Sequence, residues 1–315
     1  MLDILAVIAP IFLLIGLGYL AVRGGLFPQD RLAALGLLVV RFALPALILH
    51  SLSSRSPAEL LNTPYLAAYA AGSLAMLLLG TGWAMLARQQ PLPRAALYGL
   101  GMSCSNSAFV GYPIVYQLLG PVATLALALT MVVENLLMLP LGIALSEADG
   151  TRQERFWRAF GRSLMGLRRN PIILAIVAGV LLAMLDLPLP ALLAKPVAML
   201  GTASAPVALF VIGGSLVGLP LRSMLRDVSI LASGKLLLHP LLVAGALLLF
   251  GPLDPRLAMA GVLTAAMPML SIFPILGQRH DMQGFCAATL LLATTSSFLT
   301  ISAAIWLLQH YPFFH

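Results

Sequence analysis

The sequence predicts an all-α polytopic membrane protein with ten transmembrane helices in a 5+5 inverted repeat, spans four and nine being broken and crossing. Three observations carry this expectation. Of the 315 residues, 60% are hydrophobic and only 9% are charged, too little charge to cover a soluble domain of this length. Apolar runs long enough to cross ~30 Å of hydrocarbon recur from end to end. Four of the ten prolines in residues 1–154 also recur 161 residues later: Pro10 with Pro171, Pro45 with Pro206, Pro91 with Pro252 and Pro113 with Pro274. At this proline content, chance at one fixed offset would match roughly one. Leu13/Leu174, Gly18/Gly179 and Gln117/Gln278 keep the same offset. The chain reads as two diverged copies of one unit, a pattern that in a membrane protein points toward a transporter.

The spans fall at about 3–23, 31–52, 64–87, 94–119, 122–145, 170–187, 196–218, 228–250, 256–278 and 284–309. The first follows Asp3 rather than a basic segment and is too long for a typical h-region, so it reads as a retained span and not a signal peptide. Gly24-Gly25, Pro57, Pro91-Leu92-Pro93, Gly120-Pro121 and Gly251-Pro252 punctuate the short turns. Residues 1–150 form the first five-helix repeat and 170–315 the second, within one membrane domain; 151–169 is a basic cytoplasmic linker. Its run from Arg155 to Arg162 mixes arginines with Phe156, Trp157 and Phe160. The plain reading is a solvated basic linker, and the sharper one an interfacial helix with a lipid-sensing role.

With the first terminus outside, thirteen arginines fall in cytoplasmic loops, against Arg55, Lys195 and Arg256 in external loops. This bias predicts external, periplasmic termini in the cell (inner) membrane. It also accounts for the net charge of +7, leaving no reason to invoke nucleic acid. Five spans per copy is an odd number, so tandem copies enter the membrane from opposite sides. The result is an inverted repeat, from which alternating access follows. Cys104 and Cys286 lie inside spans and read as packing residues, not as a disulfide framework.

Span four contains Ser103-Cys104-Ser105-Asn106-Ser107-Ala108-Phe109-Val110-Gly111-Tyr112-Pro113. Pro113 cannot donate to the i−4 carbonyl, Gly111 loosens the backbone, and the hydroxyls offer competing partners. Its counterpart in span nine, from Thr264 to Pro274, holds Met267, Pro268, Ser271 and Pro274. Irregular backbone at this depth is tolerated only inside protein or beside a wet cavity. Two coincident breaks therefore suggest discontinuous helices whose exposed N–H ends favour an anion, against the plainer reading of ordinary proline kinks. Asn106 is the sharpest polar candidate, as a ligand for a carboxylate or as a tie for freed backbone groups. Ser105, Ser107, Gly111, Tyr112, Pro113 and Ser271 are weaker ones.

Glu134 is the one carboxylate well inside a span, about 18 Å from the external end at 1.5 Å per residue. That depth suits a proton-coupling residue, with Asn135 beside it and Thr295 in the matched stretch of the second half. Arg41 lies about 15 Å from the cytoplasmic end of span two. It reads as a buried ion-pair partner of Glu134, as a snorkelling arginine, or as a counter-charge for an anionic substrate. Lys235 and His239 share a helical face; snorkelling to the cytoplasmic edge is the plain reading of Lys235. There is no metal-ligand cluster, P-loop or G-x-S-x-G in the chain.

These residues resemble the auxin efflux carrier family, which includes plant PIN auxin exporters and bacterial permeases. The resemblance spans nearly the whole chain. It rests on Asn170-Pro171 opening span six, on the run from Pro206 to Leu216 containing Gly213-Gly214-Ser215, on Pro45-Ala46-Leu47-Ile48-Leu49, and on Asn106-x-x-Phe109-x-Gly111-x-Pro113. Membership would imply a fold similar to sodium/bile-acid symporters, with a scaffold part and a mobile part holding the crossed helices. Crossover residues would map to Asn106, Pro113, Pro268 and Pro274. The short central loop departs from many plant members, and Met267 stands where a symmetric polar partner of Asn106 would be.

The expected function is secondary transport of small organic anions, malate- or malonate-like carboxylates or auxin-like acids, with no cofactor beyond proton or sodium coupling. An ion or solute channel and an intramembrane enzyme are the alternatives. The lack of a nucleophile–base pair disfavours the enzyme. The expected partners are the anion and the lipid bilayer, and a homodimer is compatible with the sequence.

Overall fold

The computed structural model describes residues 2–53, 55, 62–148, 153–218, 225–250 and 253–310. The turns expected at Pro57 and Gly251-Pro252, and Arg152 and Arg222 of the basic loops, lie outside the described residues. Among the described residues there is no strand. The helices are α1 (Leu2–Arg23), α2 (Gln29–Leu52), α3 (Thr63–Ala87), α4 (Leu92–Ser103), α5 (Tyr112–Leu119), α6 (Val122–Glu147), α7 (Gln153–Gly166), α8 (Pro171–Met184), α9 (Leu192–Ser215), α10 (Arg226–Leu249), α11 (Pro255–Ala265), α12 (Phe273–Gly277) and α13 (Gln283–His310). Among the described residues six of them, α2, α3, α6, α9, α10 and α13, are long and apolar enough to cross a membrane, or up to seven spans if one bent helix pair is counted as one. This is a multi-pass membrane protein.

The helices of spans four and nine are interrupted. α4 stops at Ser103 and α5 starts at Tyr112; α11 stops at Ala265 and α12 starts at Phe273. The starts of α5 and α12, Tyr112 and Phe273, stand 161 residues apart, as do those of α6 and α13, Val122 and Gln283.

Four widened turns share one cause. Val39–Ala43, Ser107–Gly111, Glu134–Met138 and Gly234–Leu238 are π-helical, and each ends two residues before a proline: Pro45, Pro113, Pro140 and Pro240. Proline has no N–H and its ring clashes with the i−4 carbonyl. The ladder therefore slips to i−5 just before it, with Leu44 N–H donating to Val39 O, Leu139 N–H to Glu134 O and His239 N–H to Gly234 O. Such turns push a side chain out of its regular place on the helix and recur at functional sites.

The chain divides into two compact units, each drawn from both sequence halves. Unit 1 is Met1–Thr63, Ser107–Met131 and Arg169–Gly218; unit 2 is Pro64–Asn106, Val132–Arg168 and Leu219–His315. In unit 1, α1 and α9 touch backbone to backbone: a Cβ on Gly18 would collide with Phe210 O, and one on Gly213 with Ile15 O. Small residues permit this contact, and close packing of this kind is what holds helices together in lipid. Unit 2 has a core of Tyr98, Met102, Met269, Phe273 and Phe285. Arg88 ties α3 to α10 through a 2.7 Å ion pair with the buried Asp227.

Candidate functional site

The candidate site grows out of the first break. Beyond Ser103 the chain is extended at Cys104 and turns helical again at Ser107, so the N–H groups of 105 and 106 have no helical acceptor. Both find one. Asn106 N–H donates to Pro268 O at 2.7 Å, in the second break. Ser105 N–H donates to Glu134 Oε1 at 2.9 Å. The Asn106 side chain adds a second tie, its Nδ2 donating to Ser271 Oγ at 2.8 Å. The two interrupted segments are therefore hydrogen-bonded to each other.

Lys235 completes the cluster. Its ammonium donates to Ser105 Oγ (2.9 Å), to Ala265 O at the end of α11 (2.6 Å) and to His239 Nδ1 (2.9 Å), which uses all three of its protons. An ammonium donating to Nδ1 assigns the imidazole proton to Nε2, which then donates to Ser73 Oγ at 3.0 Å. The Tyr69 ring meets His239 edge-on, with centroids 6.1 Å apart. Lys235, His239, Ser73 and Ser105 have no exposed surface, and Glu134 and Asn106 are 1% and 3% exposed. A charge at this depth is costly on its own. Here Ser105 bonds both charges, its N–H donating to Glu134 Oε1 and its Oγ accepting from Lys235, and Ala265 O and His239 complete the hydrogen bonding of the lysine. The unit holds two opposite charges joined through Ser105 where its two interrupted helices meet.

The sequence candidates distribute as follows. Ser105, Asn106, Glu134, Pro268 and Ser271 come together in this cluster. Met267 is buried beside Pro268 and offers only apolar surface; Pro274 lies in the first turn of α12. Asn135 is half-buried on the π-turn of Glu134. Ser107, Gly111, Tyr112 and Pro113 fall in unit 1. There Tyr112 and Pro113 line a cavity of about 530 Å³, whose mostly apolar wall also carries His50, Tyr116, Gln117 and Thr124. Thr295 stands apart: it is exposed on α13, and its hydroxyl returns to Leu291 O and Leu292 O of its own helix.

The structure separates the readings of two charges. Arg41 is exposed on the π-turn Val39–Ala43, which removes the reading as a buried partner of Glu134 and is compatible with a snorkelling arginine. Lys235 in turn does not snorkel. Its side chain points into unit 2, because the π-turn at Gly234–Leu238 displaces it toward the end of α11. The available signal was a proline shortly after an intramembrane charge: Pro240 after Lys235 and Pro140 after Glu134.

Comparison with known proteins agrees with the helical architecture. A family model described as "Membrane transport protein" matches residues 3–307. A Rhizobium meliloti protein named "Putative malonate transporter" is 28% identical over 311 residues, covering 98% of this chain and 97% of its own. An "Uncharacterized transporter" of Methanothermobacter thermautotrophicus is 24% identical over 303 residues, covering 94% and 95%.

Proposed function

This chain belongs to the membrane transport protein family, the auxin efflux carriers, and is a transporter rather than an enzyme; from that premise we propose that it is a secondary transporter of small malonate-like organic anions working by alternating access. The observation that carries the reading is the pair of hydrogen bonds from Asn106 into the second break. Two interrupted helices joined at one point leave polar backbone and an amide where a solute needs them. The ten-span, inverted 5+5 topology belongs to the same proposal, with both termini outside the inner membrane. It is supported by the 161-residue recurrence of the α5/α12 and α6/α13 starts and by the arginine distribution.

In this reading Asn106 exchanges Ser271 for a carboxylate oxygen of the solute, since one amide N–H can serve either acceptor. Met267, buried beside Pro268, presents apolar surface to the carbon chain. The name of the Rhizobium relative supports a short dicarboxylate. Glu134 couples transport to protons: its carboxylate accepts the Ser105 N–H, so the bonding of the first break changes with its charge. Counterflow of labelled malonate in proteoliposomes tests the proposal. Saturable exchange that needs internal unlabelled anion is expected, and unitary currents without exchange would replace the carrier by a channel.

A further inference from the structure

α7 is not part of the cluster at the breaks, and its surface has a chemistry of its own. Ala159 is buried while Trp157 and Met165 are 59% and 62% exposed. Residues four apart share a helix face, so Trp157, Gly161 and Met165 form one exposed stripe. Arg158 and Arg162 border that stripe along one side, and Arg168, in the next turn, closes its end; all three are exposed. Phe156 and Phe160 brace the indole, with ring centroids 5.1 and 6.1 Å from that of Trp157. Arg162 also pairs with Glu147 at the end of α6 at 2.7 Å, which fixes α7 to the end of a membrane-crossing helix. A cavity of about 500 Å³ opens between Glu147, Arg158, Gly161 and Arg162. α7 is thus anchored at the end of one apolar helix and followed, after a short turn, by another, α8.

We propose that α7 is a docking surface for anionic phospholipid headgroups, with Arg158, Arg162 and Arg168 meeting the phosphates while Trp157 and Met165 enter the headgroup–acyl boundary. Charge complementarity selects this occupant. Hydrocarbon covers the exposed apolar side chains and phosphates are attracted to the exposed cationic edge, and an anionic lipid surface supplies both together. Guanidinium forks also match phosphate oxygens in pairs. The surface lies apart from the residues assigned to solute binding, so it stands or falls separately from them.

The test uses the full chain in nanodiscs containing brominated phosphatidylglycerol or brominated phosphatidylcholine as the quencher. The protein has three tryptophans, so subtracting the signal of Trp157→Phe isolates Trp157. Phosphatidylglycerol should quench Trp157 at lower mole fraction than phosphatidylcholine, and the gap should close as salt rises. Replacing one arginine should weaken the preference about fivefold, and Arg158→Gln with Arg168→Gln should abolish it. Equal quenching by the two lipids, or a preference that survives the double substitution, would overturn the inference. Because quenching reads contact and not flux, either result leaves the transport proposal to its own experiment.

Discussion

The first break, at 103–107, works through side chains and N–H groups, whereas the second, at 266–272, works largely through carbonyls. Ser105 and Asn106 supply two backbone donors, a hydroxyl acceptor and an amide. The other side answers with Pro268 O and, just before the break, Ala265 O, and with a single side chain, Ser271. Two positions 161 residues apart are therefore both interrupted and differ in their chemistry. An apolar stretch such as Met267-Pro268-Met269-Leu270 still takes part in a polar site, because breaking a helix frees carbonyls whatever the side chains are. It also leaves Glu134 and Lys235 both bonded to Ser105 of the first break.

This asymmetry can be broken residue by residue. Lys235→Ala should have the largest effect, destabilising the protein by about 3 kcal/mol or more because it leaves three buried acceptors, Ser105 Oγ, Ala265 O and His239 Nδ1, without their donor. Thermal unfolding in detergent reads this. Asn106→Ala comes next: membrane insertion stays normal and transport is lost, while wild-type flux would remove Asn106 from the site. Glu134→Gln alone should flatten the dependence of transport on pH, and an unchanged profile and rate would take it out of coupling. Ser271→Ala removes one acceptor that a carbonyl or water can replace. It should cost about 1 kcal/mol and slow transport less than Asn106→Ala; an equal loss would mean that the two breaks contribute alike. Thr295→Ala should be the mildest, within about 0.5 kcal/mol and without effect on flux, since its hydroxyl bonds only its own helix.

Much of this site was legible in the sequence and part was not, for physical reasons. Proline and glycine act locally, so the interruptions near Pro113 and Pro274 could be read from one stretch of chain each. Asn106 and Glu134 stood out because polar groups at such depth need a partner. Lys235 was misread because a long flexible amine near a span end has two low-cost solutions, snorkelling or burial with partners. The choice depends on a carbonyl thirty residues away at Ala265 and on the turn that Pro240 forces. Arg41 is the control for that rule. It sits in the same kind of turn ahead of Pro45, yet it is exposed, so the widened turn frees a side chain and the packing around it decides where the side chain goes. The expectation for Thr295 rests only on the 161-residue offset, and its hydroxyl bonds its own helix.

The most direct measurement is the thermal stabilisation of purified protein by malonate, compared between wild type and Asn106→Ala. Binding where the interrupted helices meet predicts a saturable rise in melting temperature for the wild type and none for the variant, with the unliganded melting temperatures close together. Equal stabilisation of both proteins would contradict it and move the anion elsewhere.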